Sequence, residues 1–113
     1  MDKPTFDWGK DFDAFLNSLS NRDKAYLLEM IERIENLGLA DSIQKQRVKK
    51  LDKNLYEIRV SATDSKKLRG IYFHLDNNTY FIVHGFIKKT AKTPLKEIRL
   101  AKERRQKEID NHE

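Results

Sequence analysis

Three lysines are gathered where a predicted strand ends and a predicted helix begins, and they are well suited to binding phosphate. Lys88, Lys89 and Lys92 follow an aromatic, β-branched run over residues 80–87 that is typical of a strand. The Thr-Pro pair after Lys92 favours a helix start, where unpaired N–H groups attract anions. The stretch is therefore predicted to bind phosphate. A charged strand edge that resists aggregation is the alternative.

Two arginines occupy strand positions that suit stabilisation of a transition state. Arg69 shares one face with the apolar residues of a predicted strand over residues 68–75, so its charge must reach into a cleft or be paired. An ordinary ion pair with Glu57 or Asp64 is the alternative. Arg59, on the preceding predicted strand, is a second candidate for a functional cation, but a position on a solvated outer face is an equally good explanation. Because an arginine fork matches phosphate oxygens, Arg69 is the first candidate for a catalytic cation.

These cations are suited to cleaving RNA, which carries its own nucleophile. The 2′-hydroxyl attacks the adjacent phosphate once it is aligned and the developing charge is neutralised. Lysines crowded by other cations have a lowered pKa, so they are candidate proton carriers. Tyr72 and His84 are candidate acid/base or base-stacking groups, with core packing and a structural histidine as the respective alternatives. Phosphate tracking, rather than catalysis, is predicted for other basic residues: Lys45, Arg47, Lys49, Lys50 and Lys53.

Charge is distributed unevenly along the 113 residues, although the whole chain carries only +5. Residues 1–44 carry 5 Lys/Arg against 9 Asp/Glu, residues 45–107 carry 18 against 6, and residues 108–113 add a net −3. A field of one sign over half of a small domain attracts a polyanion, and nucleic acid is the leading candidate. An acidic partner protein, or a surface that is merely well solvated, is the alternative.

Several classes of protein are disfavoured by what the sequence lacks. There is no cysteine, and therefore no disulfide framework and no Cys-ligated metal site. A Gly-rich phosphate loop and a two-histidine zinc motif are also missing, so chemistry without a metal or cofactor is expected. No apolar run resembles a signal peptide or a membrane span, so the expected location is the cytoplasm.

The hydrophobic pattern predicts one α+β domain over residues 1–113. The predicted helices cover residues 11–19, 21–37 and 94–106, and the predicted strands cover residues 48–51, 55–60, 68–75 and 79–87. The first two helices are expected to form a hairpin packed on a sheet of three or four mainly antiparallel strands, with the last helix docked on the sheet. Phe6 and Trp8 are expected to pack beside the first helix, and residues 108–113 are expected to fray.

Several short motifs occur in order between residues 50 and 101. They are Lys50-Leu51, Leu55-Tyr56-Glu57-Ile58-Arg59, Arg69-Gly70-Ile71-Tyr72-Phe73 and the run from His84 to Pro94, followed by Glu97-Ile98 and Ala101. Together they resemble the phage-derived, HigB-type branch of the RelE toxin superfamily over about residues 6–107. The Lys-Lys-Thr-x-Lys-Thr-Pro-x-x-Glu-Ile run is the most specific of them. The resemblance implies a RelE-like fold, similar to that of microbial ribonucleases.

The resemblance also implies a function. It points to the toxin of a type II toxin–antitoxin system, which enters the ribosomal A site and cuts mRNA without metal, leaving a 2′,3′-cyclic phosphate. The expected partner is a helix-turn-helix antitoxin similar to HigA, and operator DNA is expected to be bound only through that antitoxin.

The family motif also suggests roles for individual residues. Arg69 matches the basic residue on the strand that ends in an aromatic pair, Arg59 matches a cation one strand earlier, and Lys88 and Lys89 match the basic residues after the last strand. The catalytic candidates are therefore Arg69, Lys88 and Lys89, together with Tyr72 and His84. RNA contacts are expected from a second group: Arg59, Lys49, Lys50 and Lys92. The last helix has no tyrosine after the basic run, which leaves the general acid/base open. The alternatives are a non-catalytic nucleic-acid-binding or regulatory protein and a basic protein-interaction module.

Overall fold

Five strands form one mixed sheet in the computed structural model, which describes residues 3–112. The strands are β1 (Thr5–Trp8), β2 (Val48–Asp52), β3 (Leu55–Ser61), β4 (Lys67–Asp76) and β5 (Thr79–Lys88), and the helices are α1 (Lys10–Ser18), α2 (Asn21–Leu37), α3 (Leu39–Gln44) and α4 (Leu95–His112). The order across the sheet is β1-β5-β4-β3-β2. Strands β2 to β5 run antiparallel to their neighbours, whereas β1 pairs in parallel with β5. The predicted α+β class is confirmed.

Each face of the sheet is covered by a different set of helices. Ile58 and Val60 pack in one core with residues of α1 and α2. Leu55, Ile71 and Phe73 pack in a second core with residues of α4. Because successive side chains of a strand point to opposite faces, β3 and β4 contribute to both cores. The face that carries α4 is also the face that carries Arg69.

The predicted limits of α2 are confirmed by its two caps. Ser20 accepts a hydrogen bond from the Asp23 backbone N–H at 3.1 Å, and Gly38 ends the helix with a φ of 91°. Asp23 is fully buried, and its carboxylate accepts hydrogen bonds from the Thr63 hydroxyl at 2.8 Å and the Lys66 ammonium at 2.8 Å. The start of α2 is thereby fixed to the loop that leads into β4.

The first strand was not predicted, and the predicted sheet of three or four strands is therefore too small. Residues 5–8 are too short to show a strand pattern, and their pairing with β5 joins positions that are far apart in the chain, such as Thr5 and Thr79. Phe6 does pack in the core of α1 and α2, but its backbone N–H also donates to Glu35 at 2.7 Å. The predicted helical hairpin is confirmed only in part. Helix α1 packs mainly on β5, whereas α2 packs mainly on β3, and a third helix, α3, follows α2 directly.

The last helix is longer than the sequence predicted. It begins at Leu95 rather than Pro94, and it continues to His112 instead of fraying from residue 108. Ile109 packs against the core beneath α4, and His112 Nε2 lies 3.3 Å from Asp76. These contacts hold the final turns on the sheet; Glu113 lies outside the described residues. No helix within residues 3–112 combines the length and the apolar character needed to cross a membrane.

Candidate phosphate-binding site

Arg69 is a nearly buried cation with only a loosely placed counterion. Its side chain lies on β4 and the residue is 4% exposed. One Nη donates to the Leu68 carbonyl at 3.0 Å, while Nε lies 3.8 Å from Glu57 Oε1. Neither Nε nor Glu57 Oε1 forms a hydrogen bond within the described residues. Buried charges are normally paired and hydrogen-bonded. The ion pair predicted as the alternative does exist, but it leaves Arg69 Nε without a hydrogen bond.

Glu57 also anchors the loop that connects β5 to α4. It is 1% exposed, and its Oε2 accepts a hydrogen bond from the Thr93 hydroxyl at 2.6 Å. Thr93 was expected to be the N-cap of the last helix; its side chain instead reaches across to the sheet. The loop that carries Lys89 and Lys92 is therefore held over the same face as Arg69.

Two pairs of like charges face each other at this end of the sheet. Arg59 on β3 lies opposite Arg69 on β4, and Lys67 on β4 lies opposite Lys88 on β5. Like charges directly opposite in an antiparallel ladder destabilise it. Two adjacent repulsive pairs therefore indicate a site where a bound anion would relieve the repulsion.

The electrostatics of the cluster appear in the pKa values of its members. Burial lowers the pKa of Lys88 below its usual 10.5, and the charges of Arg69, Arg59 and Lys49 lower it further, against an opposing effect from Glu57. Burial likewise lowers the pKa of the Arg69 guanidinium; Glu57 opposes this shift and Arg59 adds to it. A lysine with a lowered pKa gives up its proton more readily than an ordinary lysine.

The predicted RNA-binding residues divide between the two faces of the sheet. Lys49 lies opposite Glu57 in the ladder and shares its face, so it belongs with Arg59, Arg69 and Lys88. Lys50, the next residue, faces the other way. Lys89 and Lys92 are exposed in the loop after β5. We refer below to Lys49, Arg59, Arg69 and Lys88 as the cationic cluster.

Tyr72, a predicted catalytic candidate, lies on the opposite face of the sheet from this cluster. It is 1% exposed and packs against Phe6, Tyr56 and Tyr80, with ring centroids 4.9, 5.4 and 5.8 Å away. Burial raises the pKa of its phenol above the usual value of 10, with further contributions from Tyr56 and Tyr80. The structure therefore separates Tyr72 from Arg69, and its contacts are those of a core residue.

His84 shares the face of Arg69, but both of its ring nitrogens are engaged by α4. Nδ1 lies 2.8 Å from an Arg104 Nη, and Nε2 lies 2.8 Å from Glu97 Oε1. Because arginine can only donate, Nδ1 accepts and the Nε2–H donates to Glu97. Burial lowers the pKa of His84, Arg104 lowers it further, and Glu97 opposes the shift. In this arrangement His84 anchors α4. Residues 3–112 contain no group of three His, Cys, Asp or Glu side chains placed to hold a metal.

A known family matches most of the chain, including every residue of the cationic cluster. Residues 14–106 match the sequence model of the family described as Phage derived protein Gp49-like (DUF891). The chain belongs to the Gp49-like family. This family is part of the RelE/HigB toxin-like superfamily, which agrees with the motifs noted above at the level of the superfamily. No curated protein matches the chain.

Two residues of this Gp49-like site were missed as contributors by sequence reasoning. Thr93 was assigned to a helix cap, and its contact with Glu57 joins positions 36 residues apart, for which the local sequence carries no signal. Lys67 was placed in a loop, and its position opposite Lys88 depends on an irregular register between β4 and β5. Glu57 was named only as a possible partner of Arg69. The alternation of β3 places Glu57 on the same face as Arg59, and this signal could have identified Glu57 as part of the site.

Proposed function

We propose that this Gp49-like protein is the toxin of a type II toxin–antitoxin system and acts as a ribosome-dependent mRNA endonuclease. The observation that supports this most strongly is the nearly buried Arg69, whose Nε forms no hydrogen bond within the described residues and which faces Arg59, next to the facing pair of Lys67 and Lys88. Such a site gains stability when an anion is bound, and it gains most when the anion develops further charge in a transition state. RNA in the ribosomal A site is the substrate that we propose.

The proposed reaction is an in-line attack within the RNA strand. The 2′-hydroxyl gives up its proton to water, and its oxygen forms a bond to the adjacent phosphorus while the bond from phosphorus to the 5′-oxygen breaks, which gives a 2′,3′-cyclic phosphate and a 5′-hydroxyl. Arg69 donates to the phosphate oxygens as their charge grows. Lys88, whose pKa is lowered, donates the proton that the leaving 5′-oxygen takes up. Arg59, Lys49, Lys89 and Lys92 hold the flanking phosphates. The mechanism requires neither a metal nor a cofactor.

The proposed partner is a helix-turn-helix antitoxin similar to HigA. In this proposal the antitoxin neutralises the toxin in the cytoplasm, and operator DNA is bound through the antitoxin alone. A small helix-turn-helix protein encoded directly beside this gene supports the proposal, and its absence from both sides counts against it.

The decisive experiment is inducible expression in bacteria with mapping of new mRNA 5′ ends. We expect the wild type to arrest growth and to generate cuts at translated codons. We expect Arg69→Ala to reduce both by at least about a hundred-fold, because it removes the main donor to the transition state. Arg99→Ala, which removes an exposed arginine from α4, is the matched control and should behave as the wild type.

A folding defect in Arg69→Ala would be separated from a catalytic defect by a second variant. Arg69→Lys keeps a positive charge beside Glu57 but lacks the planar fork, so it should fold and still be inactive. Soluble wild-type protein that neither arrests growth nor produces new ends would refute the nuclease. Salt-sensitive RNA binding without cleavage would then support a non-catalytic nucleic-acid-binding protein.

A further inference from the structure

A basic groove lies beside the cationic cluster, and Arg59 is its one lining residue that has a role in the reaction proposed above. It runs between α2 and the end of β3 and has a volume of about 450 Å³. Arg59 lines this groove and also influences the pKa values of Arg69 and Lys88. The groove and the cluster are therefore two parts of one surface, joined at Arg59.

The sheet is open along the floor of this groove. Pairing between β2 and β3 begins at Val48 and Ile58, and the last contact before it is a hydrogen bond from the Arg59 N–H to the Arg47 carbonyl at 2.8 Å. Beyond that point Val60 and Ser61 have no partner in β2. The end of β3 is consequently unpaired on this side; Val60 itself is 4% exposed, and Ser61 is the exposed residue there.

The wall formed by α2 presents an aromatic ring followed by a cation. Tyr26, Met30 and Arg33 are spaced four and three residues apart, so they line one side of the helix and face the groove. Tyr26 is 41% exposed, which is high for a large aromatic residue beside a groove. An exposed aromatic ring within a cationic channel is the combination that binds single-stranded nucleic acid with little sequence preference.

The charges that line the groove favour a ligand with several negative charges in a row over a ligand with a single acidic group. Four cations line it, namely Arg33, Lys45, Arg47 and Arg59, against one lining carboxylate, Glu29. Arg47 is further held by Asp41 at 3.1 Å, which fixes its orientation. The positive charge is thus spread along the groove and continues into the cationic cluster.

We infer that this groove binds the stretch of single-stranded RNA that flanks the phosphate held by Arg69, with a base stacked on Tyr26 and a phosphate beside Arg33. The inference rests on the proposed function for its choice of RNA. It adds a second binding region that extends the site across the end of the sheet toward α2.

The test is binding of fluorescently labelled, fully 2′-O-methylated oligouridylates, measured by anisotropy over a range of salt concentrations. Such RNA cannot be cleaved, so the measurement does not depend on nuclease activity. For a strand of about twelve nucleotides, we expect Tyr26→Ala to weaken binding at least about five-fold. We expect Arg33→Ala to lower the slope of log affinity against log salt by about 0.7. For a strand of about three nucleotides, neither substitution should matter, because the cluster alone can hold it.

Matched variants distinguish the groove from a general loss of charge or fold. Tyr26→Phe retains the stacking face and should bind as the wild type, and Arg99→Ala removes a cation outside the groove and should leave the affinity for the long strand nearly unchanged. Equal affinity of the wild type, Tyr26→Ala and Arg33→Ala for the long strand would overturn the inference. If Tyr26→Ala and Arg33→Ala bound the long strand as the wild type does but escaped neutralisation by the proposed antitoxin, the inference would be overturned in favour of a protein-binding surface. If the proposed nuclease activity is wrong but the groove does bind RNA, the variants will still show length-dependent differences in binding, while no new mRNA ends will appear in cells.

Discussion

At the scale of single residues, Glu57 joins parts of the site that come from separate places in the chain. One of its oxygens holds Thr93 and the other lies 3.8 Å from Arg69, so the same carboxylate positions the loop after β5 and balances the buried cation. A buried carboxylate normally needs partners of this kind. Glu57 also opposes the lowering of the Lys88 pKa by its cationic neighbours. The proton affinity of Lys88 therefore depends on which neighbours are retained.

We predict that the pKa of Lys88 rises when Arg59 is replaced by alanine. In the wild type, burial and the surrounding cations hold the pKa of Lys88 below the usual 10.5. Removing the positive charge of Arg59 stabilises the protonated form of Lys88, so its pKa should rise. The measurement is an NMR titration that follows the Lys88 ¹³Cε shift in the wild type, Arg59→Ala and the control Arg99→Ala. A wild-type Lys88 that titrates like a free lysine, or an Arg59→Ala variant with an unchanged midpoint, would contradict the electrostatic description of the cluster.

At the scale of elements, α1 can lie close to β5 only because of a glycine. A Cβ atom added to Gly85 would lie 2.2 Å from Phe15 Cδ2, far inside van der Waals contact. Phe15 packs against the core between α1, α2 and the sheet. The neighbours of Gly85 in β5 are His84 and Phe86, which face α4, so the position of this strand also affects the site.

We predict that Gly85→Ala lowers the free energy of unfolding by about 1–3 kcal/mol, since the added methyl group must displace Phe15 in a packed core. Urea denaturation measures the change. Gly9→Ala is the control: its new Cβ would make an ordinary 3.6 Å contact with Phe81, so it should cost only the smaller loss of a glycine from the N-cap of α1. Adding Phe15→Leu to Gly85→Ala should recover part of the loss. Equal stability of Gly85→Ala and the wild type would show that α1 can move away freely.

The elements differ in how far the sequence could foresee them. The alternation within β3 and within β4 divided each strand into two faces, because a period of two depends only on the strand itself. That Arg59 and Arg69 share one face follows from the pairing of the two strands, which the alternation alone left open. The caps of α2 were likewise visible locally. In contrast, β1 forms only by pairing with a distant strand, β5. Lys67 and Lys88 face each other because of the irregular register between β4 and β5. The hydrogen bond from Thr93 to Glu57 spans 36 positions of the chain. These features are tertiary and have no local signature.

At the scale of the whole molecule, a buried carboxylate couples stability to acidity. Asp23 ties α2 to the loop before β4, and hydrogen bonds from Lys66 and Thr63 lower its pKa from 3.8 to about 2, against the opposing effect of burial. The folded state therefore binds this proton less readily than the unfolded state does. The resulting stabilisation is complete above pH 3.8 and is lost as the pH falls toward 2.

We predict that the stability difference between the wild type and Asp23→Asn shrinks as the pH is lowered from about 4 to 2. The asparagine cannot ionise, so its variant lacks this contribution at every pH, whereas the wild type loses it only in acid. Thermal unfolding midpoints of both proteins across this range provide the measurement. A difference that stays constant down to pH 2 would mean that the charge of Asp23 contributes nothing to folding.

The parallel pairing of β1 with β5 has a consequence for how the protein is made. Residues 5–8 leave the ribosome early, but their partners at residues 79–82 are synthesised only after more than half of the chain has been completed. Until then the first strand has no neighbour, and contacts between such distant positions form slowly. The cationic cluster likewise cannot be completed before Lys88, its last member, has been added to the chain. The nascent protein therefore carries an incomplete cationic cluster for most of its own translation.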